Sequence, residues 1–465
     1  MHPPASILAR LIAAIALLAP AAAPAQAQLS RERKIAIMDS IAESPVLEGR
    51  VAGLAVAVIQ GADTLLYKGY GKADLEWEVP MAADAVFEIG SVTKQFTAAA
   101  ILRLRDQGKL DLDADLTAYL PDYPTQGHRI PLRRLLDHTS GIKGATEIAA
   151  FGRIRGREDL PRDSALKIFA AVPFDFTPGE ALIYNNSAYI LLGHIIEKVS
   201  GMSYEDYVEK ELFAPLGMLR SSYCSNTEVI ARRAHGYRLT PNGLMHKDHT
   251  SHLWPFSAGS LCSSAGDLVT WLRALHGGEV LPEPSYRAMI TPAPLSDGTP
   301  VRYAMGLSVA PDVGGRPAIG HGGGIAGYLT ETRYYPAEDL IVVMLVNTAG
   351  NLSPSALSNE IVDVLLPRVP IVTHRFTGDP SALVGTYAGP SRGRPLTITV
   401  TSTADGLQAG PAGSRPSPLG WTDEWSFRLG PVQIVTFERE GDSGPATVMR
   451  IDGGGSHYVL RRQAR

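Results

Sequence analysis

The chain has 465 residues, of which 45% are hydrophobic and 19% are charged, as in an ordinary folded soluble protein. This length predicts one large domain and one smaller domain, with enough apolar residues for a buried core. The formal net charge of −4 lacks the basic bias that favours binding to nucleic acid or anionic membranes, so we expect neither as a partner.

Residues 1–27 have the pattern of a secretory signal peptide. Arg10 precedes the apolar run Leu11–Leu18, and Ala25-Gln26-Ala27 matches an A-x-A cleavage site. The run is shorter than the roughly 20 residues that a membrane-spanning helix needs. We therefore expect cleavage, a secreted or periplasmic mature protein, and no stable insertion into a membrane after cleavage.

The first predicted elements are a helix and a β-hairpin. The helix is predicted near Ile35–Glu43, and the hairpin joins Val51–Gln60 to Asp63–Tyr70 through the turn-like pair Gly61-Ala62. From Ser91 onward, to about residue 274, the pattern is mainly helical. Its clearest helices are predicted at Ser91–Gln107 and Ser187–Val199.

Strands return in the second half of the chain. They are predicted at Ala304–Val309, Gly327–Tyr335 and Leu340–Val346, and a helix over about Ser355–Leu366 follows them. Strands at both ends with helices between them predict the mixed α/β (α+β) class, with one antiparallel sheet flanked by helices.

The C-terminal part has a different pattern, with short strands punctuated by Gly, Pro and Asp. This pattern predicts a small all-β barrel or sandwich. We place the large domain at residues 28–370, a linker at 371–380 and the small β-barrel at 381–465. The predicted strands are Leu383–Gly389, Pro395–Thr401, Glu424–Arg428, Val432–Glu438 and Ser456–Arg462.

The two cysteines, Cys224 and Cys262, belong to a chain expected in an oxidising compartment. They form either one disulfide or two buried thiols, and the sequence leaves both readings open. Neither lies in a motif typical of a cysteine nucleophile.

The first motif that carries chemistry is Ser91-Val92-Thr93-Lys94. If Ser91 opens a helix, Lys94 follows one turn later on the same face, so the hydroxyl and the amine can meet. A serine hydroxyl needs such an adjacent base before it becomes an effective nucleophile. The same spacing recurs at Ser140/Lys143 and Ser164/Lys167, but only Ser91 follows a strand-like segment and opens a long helix.

Three further segments follow Ser91 in a fixed order. They are Leu135–Ile142, Pro178-Gly179-Glu180 leading into Tyr184-Asn185-Asn186, and Gly320–Gly324. In their order and their residues, these segments resemble the motifs of the serine β-lactamase, penicillin-binding-protein and related esterase superfamily. The resemblance covers roughly Val51–Leu366, and it implies a DD-peptidase/β-lactamase-like fold. The C-terminal barrel resembles the lipocalin-like appendage of some of these hydrolases.

The resemblance implies roles for four side chains. Ser91 matches the acylated nucleophile, and Lys94 matches the amine that shares in its deprotonation. Tyr184 matches the general base in acylation, which also returns a proton to the leaving group, and Asn186 matches the asparagine that binds substrate and lysine. We expect the Lys94 ammonium to lower the pKa of Tyr184, because an opposite charge favours the phenolate.

The resemblance also assigns a substrate-binding strand to His321-Gly322-Gly323, in the H-x-G form of esterase and peptidase members. Gly323 belongs to this motif, and the backbone N–H groups of Ser91 and Gly324 match the oxyanion hole. Because His321 is mostly neutral at pH 7 but still able to donate a hydrogen bond, we expect esters or amides without an essential carboxylate to be better substrates than β-lactams.

These features predict a serine hydrolase that cleaves an ester or amide bond in a small molecule or short peptide through an acyl-Ser91 intermediate. It would be of the esterase, D-aminopeptidase or peptidase type and would need no cofactor or metal. The alternative is a β-lactamase, or a penicillin-binding protein that holds acyl ligands with little turnover. Ester, amide and β-lactam substrates remain open, as does the oligomeric state.

Three other segments match known motifs, but the residues around them do not form the structure that each motif requires. Gly389–Gly393 fits G-x-S-x-G, and Gly322–Gly327 fits G-x-G-x-x-G, but a strand rather than a helix follows each. His246, His249 and His252 form an H-x-x-H-x-x-H run, which we interpret as a solvated loop near the cleft rather than a zinc site.

Overall fold

The large domain is built around a six-stranded antiparallel sheet, with strands in the order β3-β2-β1-β11-β10-β9. The computed structural model describes residues 29–148, 161–441, 443–453 and 455–464. The predicted signal peptide, residues 1–27, lies outside them. The strands of the large domain are β1 (Gly53–Gln60), β2 (Asp63–Asp74), β3 (Val79–Pro80), β4 (Val86–Glu88), β5 (Ser222–Tyr223), β6 (Tyr237–Thr240), β7 (Gly243–His246), β8 (Leu261–Ser264), β9 (Ile319–Ile325), β10 (Tyr328–Tyr335), β11 (Leu340–Val346) and β12 (Thr348–Ala349).

Helices cover both faces of this sheet. In the described ranges they are α1 (Arg31–Leu47), α2 (Thr93–Asp106), α3 (Leu132–Leu136), α4 (Arg162–Ala170), α5 (Asn186–Ser200), α6 (Tyr204–Val208), α7 (Ala265–His276), α8 (Glu283–Ile290) and α9 (Pro354–Leu365). None of the helices in the described residues combines the length and apolar character of a membrane span. The predicted helix at Ser187–Val199 is confirmed as α5, which ends at Gly201 in the left-handed conformation.

The central strands β1 and β11 are apolar at nearly every position because both of their faces are buried. Successive side chains of a strand point to opposite faces. Ala55 and Val343 therefore pack in the core that includes α2 and α7, while Val56 and Val342 pack in the core that includes α1 and α9. The predicted hairpin is confirmed, since β1 pairs with β2 in antiparallel register.

The C-terminal part is a closed eight-stranded barrel, in which β13 pairs with both β14 and β20. The predicted fold class, an antiparallel sheet flanked by helices with a small all-β barrel, is confirmed. The barrel strands are β13 (Gly385–Gly389), β14 (Leu396–Thr403), β15 (Gly406–Pro411), β16 (Ser417–Asp423), β17 (Ser426–Leu429), β18 (Gln433–Glu438), β19 (Val448–Gly453) and β20 (Ser456–Arg462).

The strand predicted at Ala304–Val309 is wrong. This segment makes a turn in which Ala304 N–H donates to Leu307 O and Gly306 has a φ of +73°. Its pairing is limited to isolated bridges at Tyr303 and Ser308. The apolar residues are buried by packing against the core rather than by lying in a sheet, so their pattern imitated a strand.

The barrel packs on the large domain close to the segment that precedes α5. Leu182 and His457 form a β-bridge, and Tyr184 N–H donates to Ser456 Oγ over 3.4 Å. Arg302 Nε also donates to the Asp452 carboxylate over 2.5 Å. The barrel therefore borders the region that holds the sequence motifs.

The cysteine question is settled by the fold. Cys224 and Cys262 form a disulfide, with their Cα atoms 5.1 Å apart. Cys262 lies in β8, directly opposite Glu88 of β4. The disulfide thus fastens the three-stranded sheet β4-β8-β5 from which the chain leads to Ser91.

Candidate active site

Ser91 lies where the chain turns from β4 into α2. The turn is a single 3-10 turn, Gly90–Val92, and Gly90 has a φ of +53°. A Cβ atom added at Gly90 would lie 2.8 Å from the backbone nitrogen of Gly324, so only glycine allows β9 to approach this closely. The result is that Ser91 faces the glycine-rich strand predicted to bind substrate.

Lys94 follows one turn later and is completely buried. Its Nζ lies 2.8 Å from Asn186 Oδ1, 2.8 Å from the backbone oxygen of Ala258 and 3.2 Å from Ser91 Oγ. Burial, and secondarily the positive charge of Arg392, hold the pKa of the Lys94 amine well below its ordinary value.

The neutral amine fits these three contacts. A neutral amine has two N–H bonds, which point to the two carbonyl oxygens because a carbonyl can only accept. Its lone pair is then left for the Ser91 hydroxyl. The environment of Lys94 therefore prepares it to accept the serine proton.

Asn186 owes its position to the start of α5. The preceding residue, Asn185, is the N-cap, and its side chain accepts a hydrogen bond from Ala188 N–H over 3.0 Å. This cap places Asn186 in the first turn, with its side-chain oxygen on Lys94. The segment Tyr184-Asn185-Asn186 thus encodes a helix start as well as a polar contact.

The pKa expected for Tyr184 is corrected by the structure. Its hydroxyl is buried and makes no hydrogen bond with a described residue, although Ser91 lies near enough to act on its pKa. Burial raises the pKa of the phenol, and the Ser91 hydroxyl and Arg392 offset this only in part. The predicted decrease assumed a Lys94 ammonium, but the burial that surrounds both groups disfavours both charges.

The Tyr184 ring still lies against Lys94, whose Nζ is 4.8 Å from the ring centroid. The ring also contacts His138, with 4.4 Å between the two ring centroids. His138 Nδ1 accepts a hydrogen bond from Asn185 N–H over 3.2 Å, so this histidine ties the Leu135–Ile142 segment to the start of α5. Tyr184 is therefore held as a neutral hydroxyl next to Ser91.

His321 is buried, and both of its ring nitrogens have protein partners. Nδ1 lies 2.5 Å from the backbone oxygen of Gly322 and must carry the proton, because a carbonyl only accepts. Nε2 then accepts from the Tyr303 hydroxyl over 2.9 Å. Burial, with a contribution from Lys94, lowers the pKa of His321 to about 3. The expected neutral histidine is confirmed, but the expected hydrogen-bond donor for substrate is wrong.

Gly323 and Gly324 bring β9 against the Ser91 turn. A Cβ atom on Gly323 would lie 2.1 Å from the backbone oxygen of Ile89, so a larger residue cannot occupy this position. Gly324 lines the same cleft as Ser91, as the predicted pair of backbone donors requires.

Ser91 stands at the junction of two cavities. One, of about 470 Å³, has Ile190, Trp254, Ile325 and Leu329 on its wall, and we name it the apolar cavity after these four side chains; the charged Arg238, Lys247 and Asp248 line it as well. The other, of about 770 Å³, is the polar cleft between the large domain and the barrel; it is lined by Tyr184, Tyr303, His321 and Arg392, among others. Ser91 and Asn186 line both.

Sequence reasoning missed two residues of the polar cleft. Tyr303 carries no motif, and it reaches the site only because its turn packs beside β9. Arg392 comes from the barrel, in the loop between β13 and β14, within the segment set aside as a false G-x-S-x-G motif. Its guanidinium carbon lies 5.3 Å from the centroid of the Tyr184 ring. No local pattern in the sequence predicts this contact between Arg392 and Tyr184.

The competing motifs lie elsewhere or have other partners. Lys143 pairs with Asp175 over 2.6 Å. His246 Nε2 lies 2.7 Å from a Glu76 oxygen, while His252 is buried beside Glu88, so the expected solvated loop is wrong for His252. The described ranges hold no group of three or more His, Cys, Asp or Glu residues arranged for a metal ion.

Comparison with known proteins agrees with this geometry. The sequence profile of the family described as Beta-lactamase matches residues 29–365. A D-aminopeptidase of Gluconobacter oxydans (strain 621H) is 29% identical over 339 residues, which are 72% of this chain and 62% of the relative. The chain thus spans less than two thirds of that relative's length. The putative penicillin-binding protein PbpX of Bacillus subtilis (strain 168) is 28% identical over 308 residues, covering 66% of this chain and 74% of the relative.

Solved structures show the same fold. A D-stereospecific amidohydrolase from Streptomyces sp. superposes with a TM-score of 0.61 at 26% identity, covering 70% of this chain and 97% of its own. An octameric penicillin-binding protein homologue from Pyrococcus abyssi superposes with a TM-score of 0.63 at 24% identity. It covers 92% of this chain and 100% of its own, so its fold extends into the C-terminal barrel.

Proposed function

The chain belongs to the Beta-lactamase family, and from this premise we propose that it is a serine hydrolase that cleaves amide or ester bonds through an acyl-Ser91 intermediate. One observation carries the proposal. The buried Lys94 Nζ lies 2.8 Å from each of two carbonyl oxygens and 3.2 Å from Ser91 Oγ, so a neutral amine that donates to both carbonyls keeps its lone pair for the serine proton. A serine hydroxyl with such a base beside it is an activated nucleophile.

In the acylation step, the Ser91 proton moves to Lys94 as Oγ attacks the substrate carbonyl carbon. The carbonyl oxygen takes up the electron pair and is stabilised by the backbone N–H groups of Ser91 and Gly324. When the tetrahedral intermediate collapses, the bond to the leaving group breaks. The leaving nitrogen or oxygen takes the proton of the Tyr184 hydroxyl, and Tyr184 recovers a proton from the Lys94 ammonium.

Deacylation follows the same route with water in place of the leaving group. Water loses one proton to the Lys94–Tyr184 pair while its oxygen attacks the acyl carbon. The ester bond to Ser91 then breaks, and Oγ regains the proton as the acid departs. A phenol that stays protonated suits this role, because a general acid must hold its proton until the leaving group needs it.

We propose D-amino-acid amides and short peptides as the substrate class. The relatives named D-aminopeptidase and D-stereospecific amidohydrolase support an amide bond. The apolar cavity beside Ser91 suits a hydrophobic acyl side chain, which would be desolvated on binding. A penicillin-binding sensor with little turnover is not favoured, since these relatives carry the names of hydrolases.

The test is a labelling and hydrolysis panel with the mature protein and its Ser91→Ala variant. A serine-directed phosphonate should label the wild type on Ser91 and leave the variant unlabelled, while Ser140→Ala and Ser391→Ala label normally. D-phenylalanine amide, L-phenylalanine amide, a short acyl ester and nitrocefin are then compared as substrates. Undiminished labelling of Ser91→Ala would refute the site. A stable adduct with nitrocefin, without turnover of amide or ester, would favour the sensor.

We also propose that the protein is exported and acts in the periplasm or outside the cell. The predicted signal peptide at residues 1–27 supports this location. The Cys224–Cys262 disulfide supports it independently, because such bonds persist mainly in oxidising compartments. Fractionation of expressing cells, with N-terminal sequencing of the product, should find the mature protein beginning near Gln28. An uncleaved cytosolic product would contradict the proposal.

A further inference from the structure

The barrel contributes a cation to the polar cleft. Arg392 lies in the loop between β13 and β14 and lines this cleft together with Ser91 and Tyr184. Its Nε and Nη2 donate to a single oxygen of Glu147, over 3.1 and 3.0 Å. With 44% of its side chain exposed, the guanidinium is reachable from the cleft.

The other basic side chains that line this cleft are less exposed than Arg392, with 20% of Arg302 and 16% of Arg333 accessible, and each has protein partners. Arg302 donates to the Asp452 side chain and to two backbone carbonyls, and Arg333 donates to Glu331 and Ser355. His321 uses both ring nitrogens within the protein. A guanidinium has five N–H bonds. Among the described residues Arg392 spends only two of them, so the N–H bonds of its Nη1 face no protein acceptor there.

The position of Tyr184 tells which part of a substrate Arg392 would meet. Tyr184 lines the polar cleft and does not line the apolar cavity. In the proposed mechanism, Tyr184 gives its proton to the leaving group. The leaving group must therefore lie in the polar cleft, on the side where Arg392 covers the Tyr184 ring.

We propose that Arg392 binds a free carboxylate on the leaving group and so makes peptides ending in a free amino acid preferred over the corresponding amides. The inference rests on the proposed acyl-Ser91 function and adds the determinant of its leaving-group specificity. A guanidinium matches a carboxylate in shape and charge. This inference replaces the expectation of carboxylate-free substrates that was drawn from His321 alone.

Glu147 has a double effect in this arrangement. It holds the Arg392 side chain over the cleft, and its own negative charge competes with a substrate carboxylate for the same guanidinium. If the Arg392–Glu147 pair only fastened the barrel to the large domain, substituting either residue would change the hydrolysis of all substrates alike. A carboxylate site predicts opposite effects of the two residues on the preference for acid over amide.

The experiment compares D-alanylglycine with D-alanylglycinamide, which differ only in the terminal carboxylate. We expect wild type to cleave the acid with the higher kcat/KM, and Arg392→Gln to lower the acid-to-amide ratio about tenfold, the loss expected for one charge-assisted interaction at a partly exposed site. Arg392→Lys should keep part of the preference, since it keeps the charge but loses the fork. Glu147→Gln removes the competing negative charge and should raise the ratio, whereas a fall like that of Arg392→Gln would mean that the pair only fastens the barrel to the large domain.

Arg394→Gln is the matched control, because it removes the same charge from the same exposed loop outside the cleft lining. It should leave the ratio unchanged. A wild type without preference for the acid, or one that cleaves neither peptide, overturns the inference, as does an unchanged ratio in Arg392→Gln. Phosphonate labelling of Ser91 and ester hydrolysis, measured on the same samples, report separately whether the proposed hydrolase function itself has failed.

Discussion

The Tyr303 hydroxyl lies 2.9 Å from Nε2 of His321, and this hydrogen bond decides what the histidine can do. Because Nδ1 is committed to the Gly322 carbonyl, the ring is a neutral tautomer with no free donor. His321 therefore anchors β9 against the Tyr303 turn. It supports the site by fixing the strand that carries Gly323 and Gly324, and a ligand's carboxylate must find another partner.

The first prediction is that His321→Lys destabilises the protein and does not create a carboxylate site. The new ammonium would be buried beside Lys94, with Tyr303 as its neighbour, so we expect a loss of about 3 kcal/mol or more in the free energy of unfolding. His321→Gln, which is neutral, should cost less. Urea unfolding measures the two losses. A stable His321→Lys protein with improved nitrocefin hydrolysis would show that the strand tolerates the charge.

The second prediction is that Tyr184→Phe lowers kcat by about 10²–10⁴-fold, the usual contribution of a general acid–base group. The ring is retained, and the hydroxyl that is lost makes no hydrogen bond with a described residue, so the melting temperature should hardly change. Tyr204→Phe is the matched control: its buried hydroxyl bonds to Thr97 outside the site, so stability should fall and turnover should persist. Near-wild-type turnover in Tyr184→Phe would refute the proton-donor role.

The third prediction concerns pH and the charge of Arg392. The active Lys94 is the neutral amine, so kcat/KM for an uncharged ester should rise with pH until the amine has lost its proton. Burial places this rise below the ordinary lysine range, and Arg392 lowers the pKa of Lys94 further. Arg392→Gln removes a positive charge that disfavours the ammonium, so the pKa should rise and the acid limb should move to higher pH.

Rate profiles between about pH 5 and 10 check this shift. Arg394→Gln serves again as the control, because it changes the net charge equally but lies outside the cleft lining, and its profile should match the wild type. An acid limb that stays in place in Arg392→Gln would mean that the barrel loop is electrostatically separate from Lys94.

Part of this site is predictable because its geometry is local. Ser91 and Lys94 are separated by one helical turn. Asn186 follows Asn185, and asparagine is a residue that is preferred at the N-cap of a helix. The apolar runs of β1 and β11 were equally clear, since strands buried on both faces are apolar throughout. In each case a few neighbouring residues decide the structure.

The rest of the site depends on contacts between distant parts of the chain. Arg392 meets Tyr184 only because the barrel packs on the segment before α5, and no local pattern encodes that docking. The pKa of Tyr184 was predicted in the wrong direction because burial, which outweighs a neighbouring charge, is a property of the whole fold. In the barrel, strands β15, β16 and β19 were missed because their short, Gly-rich or polar sequences lack an apolar run.

The last prediction is that loss of the disulfide weakens the scaffold beneath Ser91 without removing its chemistry. Cys224 and Cys262 are 38 residues apart, and closing a loop of that length in the unfolded chain is worth about 4 kcal/mol in the chain-entropy estimate. Cys262 pairs with Glu88 in β4, three residues before Ser91, but it makes no contact with the reacting groups in the proposed mechanism. A Cys224→Ser, Cys262→Ser double variant should therefore unfold at lower urea concentration and still label on Ser91 at 25 °C.

Wild type unfolded with a reductant should approach the urea midpoint of this double variant, while the variant should be insensitive to the reductant. A variant as stable as wild type would mean that the sheet β4-β8-β5 is held by packing alone, and a folded variant that no longer labels would mean that the disulfide positions the nucleophile.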